Sequence, residues 1–118
     1  YLSISALEQV ASLLALPPAR VFGVVSFYPA FRTQQPGRHI FQVCTTLSCG
    51  LMGAGEVRAC LQSRLGIKVG ETTADGRFTL EDVGCLASCA TAPVMIVDGE
   101  LHQSLTRQRI HQIVERLD

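Results

Sequence analysis

Four cysteines carry the chemistry open to this sequence. Cys44 and Cys49 stand in "VCTTLSCG", and Cys85 and Cys89 in "GCLASCATAP". Their spacing is C-x4-C, thirty-five intervening residues, then C-x3-C. Such a set can hold a structural zinc, close disulfides, or bind an iron–sulfur cluster. Structural zinc favours short C-x2-C knuckles, whose tight turn sets the tetrahedral angle, and neither pair has that spacing. Disulfides suit a secreted scaffold, but the five cysteines, with Cys60 the odd one, fit a reducing compartment better. A [2Fe–2S] cluster takes two thiolates per iron and tolerates wider loops, and plant-type ferredoxins also begin with a C-x4-C step.

The residues between the thiols agree with the cluster. Cluster sulfurs carry negative charge and need backbone N–H groups free to approach them. Thr45, Thr46 and Ser48 on the first loop, and Ala87 and Ser88 on the second, are small enough to permit it. Gly50 and Gly84 are expected to let the chain turn sharply beside the ligands. Neither loop contains Lys or Arg, so a low reduction potential is expected.

These loops must be positioned by regular elements. Ser5–Leu16 places Ala6, Leu7, Val10, Leu13 and Leu14 on one helical stripe, and Pro17-Pro18 is expected to end that helix, with Pro18 able to open the next. Val21–Phe31 is the most apolar run, read as a core-packed helix or as a greasy face for a partner subunit. A turn follows at Thr33–Gly37. His39–Val43 predicts a strand delivering Cys44 to its C-terminal end, and Leu51–Leu65 a helix with Ala54, Val57, Leu61 and Leu65 inward. Short strands are expected at Gly66–Val69, Phe78–Val83 and Pro93–Val97, with a hairpin turn at Asp98-Gly99 before Glu100–His102. Thr106 should cap a final helix whose Ile110, Ile113, Val114 and Leu117 follow the helical period. The sum is two helices and then a β-α-β-β-β-α unit. If the strands before the two cysteine loops are neighbours, the loops meet at one edge of the sheet.

Composition narrows the function further. The chain has 118 residues, 47% of them apolar, which is enough for a core without disulfide staples. Ten basic residues balance ten acidic ones, so no electrostatic drive toward nucleic acid or anionic membrane is expected. No apolar run approaches the ~18 residues of a spanning helix. The first residue is Tyr1 rather than Met, and a trimmed or longer natural chain is expected.

"VCTTLSCGLMGA" followed by "FTLEDVGCLASCATAPVMIVDGELHQSLT" resembles the thioredoxin-like [2Fe–2S] subunit of NADH dehydrogenases, the NuoE-type subunit of complex I. Similar domains occur in the diaphorase part of NAD-reducing hydrogenases and in the gamma subunit of NAD-dependent formate dehydrogenases. "ALEQVASLLALPPARVFGVVSFYPAF" resembles that family's helical segment, so the likeness spans nearly the whole chain. The resemblance implies an α/β, thioredoxin-like small sheet with flanking helices over residues 38–118, after an N-terminal helical segment at 1–32. It implies Cys44, Cys49, Cys85 and Cys89 as ligands of one [2Fe–2S] cluster. It further implies a flavoprotein partner that binds NAD and FMN, and a cytoplasmic location, peripheral on the inner face of the membrane through the complex. Where the family has glycine in "CLGAC", this chain has Ala87, a small-for-small exchange.

The other candidates read as structural. Cys60 is expected to be a buried thiol, and Met52 and Met95 core fillers. His39, His102 and His111 share no metal-ligand spacing. "LMGAG" lacks the surrounding βαβ unit of a dinucleotide fingerprint, so NAD is expected on the partner rather than here. Nothing in the chain suggests a general acid, base or nucleophile of its own.

Overall fold

The computed structural model describes residues 1–118, which form two compact units, Tyr1–Pro36 and Gly37–Asp118.

The first unit is a helical hairpin of α1 (Ile4–Leu13) and α2 (Pro18–Phe27). Ser3 caps α1 by accepting a hydrogen bond from the Ala6 N–H, at 3.2 Å. The seam is narrow: Leu7 and Ala11 of α1 meet Val21 and Val25 of α2, each pair one helical turn apart. Helix α1 stops earlier than expected, and not because of Pro17. Ala15 turns left-handed (φ 52°), and the Leu16 N–H reaches back to the Ala11 carbonyl at 2.9 Å, an end normally signalled by glycine. The expected stripe is corrected accordingly, because Val10, Leu13 and Leu14 are exposed. The run Val21–Phe31 is also only partly helical and partly buried. It leaves the helix at Tyr28, and Phe27, Tyr28 and Phe31 are exposed.

The second unit is a four-stranded sheet in the order β2-β1-β3-β4, with β1 His39–Cys44, β2 Phe78–Val83, β3 Met95–Val97 and β4 Glu100–His102. Strands β1 and β2 are parallel, a pairing that needs a crossover. The expected single helix at Leu51–Leu65 is instead two, α3 (Leu47–Leu51) and α4 (Ala54–Leu65). The break falls at Gly53, whose φ of 101° no L side chain adopts readily. Gly66 closes α4 in the left-handed region, so the expected strand at 66–69 is a helix exit and turn.

Alternation along β1 and β2 builds the core. Phe41, Val43, Phe78 and Leu80 pack with Val57 and Leu61 of α4 and with Ile110, Ile113 and Val114 of α5 (Arg107–Leu117). Their neighbours in register, Gln42 and Glu81, hydrogen-bond each other at 3.1 Å. Met95 is fully buried, whereas Met52 is exposed at the end of α3 and fills no core. Cys60 is buried within the main core, as expected of a structural thiol. Asp98 and Gly99 both take positive φ and connect β3 to β4, and Thr106 caps α5 through the Arg109 N–H.

Candidate metal centre

Strand order decides where the thiols lie. Cys44 ends β1 in register with Val83, the last residue of β2, so both strands leave the sheet at the same edge. Strand β3 runs antiparallel to β1, with Met95 opposite Val43, and therefore enters the sheet at that edge too. Because β1 lies between β2 and β3, the 84–94 connection has to pass over the end of β1. That connection holds Cys85 and Cys89, and the β1 end holds Cys44. Two backbone bonds tie the three segments together: Cys44 N–H to the Val94 carbonyl at 3.2 Å, and Thr45 N–H to the Val83 carbonyl at 3.1 Å.

Cys44 and Cys49 form a buried pair. Both are fully enclosed, packed with Ala54, Ala92 and Val94, and Leu86 closes over them from the second loop. Burial pushes the Cys44 thiol up, but hydrogen bonds from the Thr46 side chain and backbone, from Cys49 and from the Leu86 backbone outweigh it. The result is a pKa of about 7, against 9.0 for an ordinary thiol. Cys49 moves the opposite way, raised by burial and by the hydrogen bond and charge of Cys44 beside it. The hydrogen bonds around the pair favour one shared thiolate, the form that binds metal.

Cys85 and Cys89 are exposed, with Cys89 opening a short 3-10 turn (Cys89–Thr91). The Ala87 N–H donates to the Cys85 sulfur at 3.3 Å. To do so Ala87 takes φ 53°, a left-handed conformation in which its methyl group is not neutral, so the exchange for glycine carries a backbone cost. Ser88 and Thr91 bond each other at 2.8 Å, and Gln103 donates to Ser88 at 3.1 Å, bracing the loop from beyond β4. No three His, Cys, Asp or Glu side chains converge around one point as a single ion requires. Cys44 and Cys49 lie in contact on the first loop, and Cys85 and Cys89 stand on the adjoining one.

Three features have no clear sequence signal. Gly50 and Gly84 do not take positive φ, and Gly53 is the left-handed glycine beside the first loop. Thr46 stands out in the sequence only as small, yet its hydroxyl lies 3.2 Å from the Cys44 sulfur. Gln103, fourteen residues beyond Cys89, offers no local signal at all. His39 is bonded to Asp98 at 2.7 Å.

The donor set fits a two-iron cluster: four cysteine sulfurs, two on each of the adjoining loops, backbone N–H groups aimed at Cys44, Cys49 and Cys85, and no basic side chain in either loop. A family model described as thioredoxin-like [2Fe-2S] ferredoxin matches residues 1–118. A subunit of the NADH-quinone oxidoreductase of Rickettsia conorii is 36% identical over 117 residues, covering 99% of this chain and 70% of that protein. An NAD+-reducing [NiFe]-hydrogenase superposes with a TM-score of 0.83 at 25% identity, covering 96% of this chain and 20% of the hydrogenase chain. The thioredoxin-like [2Fe-2S] ferredoxin from Aquifex aeolicus shares the fold, with a TM-score of 0.56 at 19% identity over 68% of this chain and 84% of its own.

Proposed function

Because the chain belongs to the thioredoxin-like [2Fe–2S] ferredoxin family, we propose that it is the electron-transfer subunit of an NADH-oxidising complex. Its ligands are Cys44, Cys49, Cys85 and Cys89, holding one cluster. The observation that carries this reading is the parallel pairing of β1 and β2, which brings both cysteine loops to one sheet edge. When bound, the cluster takes up and releases single electrons.

The protein's own part is to hold and tune that group. Cys44 and Cys49 supply a buried half-site closed by Leu86, Ala92 and Val94, which excludes water from two sulfurs. Cys85 and Cys89 supply the outer half, open to solvent and so open to an electron partner. That partner is a flavoprotein carrying NAD and FMN, and this chain adds no acid, base or nucleophile to its chemistry. The exposed Leu47, Leu51 and Met52 beside Cys49 give the thiol edge an apolar rim suited to docking. Leu13, Phe27 and Tyr28 of the helical unit support a second contact with the same complex. No helix is long and apolar enough to cross a membrane. On this reading the protein attaches to the membrane only through its complex, on the cytoplasmic side.

Anaerobic reconstitution with iron and sulfide tests the assignment. About two irons and two acid-labile sulfides per chain, with an EPR signal after dithionite, are expected. A colourless protein without that signal overturns it, and about one zinc without labile sulfide would point to a zinc-stabilised interaction module instead.

A further inference from the structure

Thr46 occupies the N-cap of α3, where a threonine hydroxyl ordinarily accepts a hydrogen bond from a backbone N–H one turn on. It makes no such bond here. Its hydroxyl is directed 3.2 Å to the sulfur of Cys44. Oxygen and sulfur could each donate in the free thiol, but a metal-bound thiolate has no proton, so in the loaded protein the hydroxyl must be the donor. The Cys44 sulfur is fully buried, which makes the bond stronger than at the surface and shields it from competing water.

On the reading of the four cysteines as cluster ligands, we propose that Thr46 is a positioning residue that sets the cluster's reduction potential through its hydrogen bond to Cys44. Adding an electron raises the negative charge on the ligand sulfurs, so a donor on one of them stabilises the reduced state more than the oxidised one. The bond acts on the inner half-site. At Cys85 in the outer half, the corresponding donor is the Ala87 backbone N–H, which no side-chain substitution removes. Thr46 is therefore a side chain through which potential can be changed without touching a ligand.

The test compares Thr46→Val, which keeps the branched shape and removes the hydroxyl, with Thr46→Ser, which keeps the hydroxyl. Redox titration of the reconstituted 118-residue chain is followed by EPR and visible absorption. Thr46→Val should lower the reduced-to-oxidised ratio at fixed poise about tenfold, equivalent to about 59 mV for a one-electron couple. Thr46→Ser should stay near the wild type. Equal midpoints for wild type and Thr46→Val overturn the proposal. Should Thr46→Val hold no cluster, Thr46→Ala carries the same comparison. If neither holds one while Thr46→Ser does, the hydroxyl governs retention rather than potential, and the proposal falls. A wild-type chain that takes up no cluster overturns the ligand assignment itself, an outcome separate from any shift in midpoint.

Discussion

The two cysteine loops solve the same problem in opposite ways. The first is short and partly helical, and turns its sulfurs inward: Cys49 sits on α3, Cys44 ends a central strand, and neither sulfur reaches solvent. The second is irregular and outside, braced by Ser88, Thr91 and Gln103 rather than by a core. A buried thiol contributes to folding whether or not metal is bound, because it fills apolar space. An exposed thiol contributes only when it has a ligand to hold. The inner pair is thus expected to belong to the fold and the outer pair to the cofactor.

The sharpest break of this contrast is to replace one thiol from each half. Cys49→Ser and Cys85→Ser should both lose cluster, read as iron and acid-labile sulfide per chain. Their metal-free forms should part company on denaturant titration. Cys49→Ser buries a hydroxyl among Ala54, Ala92 and Val94 and should cost about 1–3 kcal/mol. Cys85→Ser, at the surface, should stay within about 0.5 kcal/mol of wild type. Equal losses of stability would show that the loops do not differ as described.

Cys60→Ala separates burial from ligation. It should cost about 1 kcal/mol of packing in the main core and leave iron content unchanged. Loss of iron in this variant would move the ligand set. Smaller still is Ala87→Gly. Relief of the left-handed alanine, offset in part by the greater freedom of glycine in the unfolded chain, should raise metal-free stability by about 0.5 kcal/mol. A decrease would mean that the outer loop does not keep this conformation.

The weakest effect lies far from either loop and serves as a control. Asp75 is held below the usual carboxylate range, chiefly by the Thr73 hydroxyl and then by the Arg77 backbone N–H. A depressed folded pKa adds stability above the unfolded carboxylate value and loses it as pH falls through the lowered one. Asp75→Asn should therefore be slightly less stable than wild type at neutral pH. In acid the pH-linked part of that difference should disappear, with iron content unaffected. A gap that widened on acidification would have the wrong sign.

Much of this molecule is legible in its sequence because its signals are local. Strand β2 spans the Phe78–Val83 run expected from the sequence, Thr106 caps α5, Asp98-Gly99 turns the hairpin, and Cys60 lies in the core. The departures have two causes. The end of α1 at Ala15 and the break before α4 depend on single left-handed residues, one of them an alanine that carries no turn signature. Val10, Leu13 and Leu14 fit a helical stripe by type, but the α1–α2 seam is only wide enough for Leu7 and Ala11. Periodicity shows which residues could be buried, and the width of the opposing helix decides how many are.

By itself the sequence determined the four thiols, their two-plus-two spacing and the small residues that let backbone approach them. These follow from covalent order. It did not determine that β1 lies between β2 and β3, because a period-two pattern fixes the face a side chain takes and leaves open which strand lies beside it. Tertiary structure made that choice through long-range packing of the sheet against α4 and α5. With it came the passage of Cys85 and Cys89 over Cys44, and the burial that gives the Thr46 hydroxyl a sulfur to meet.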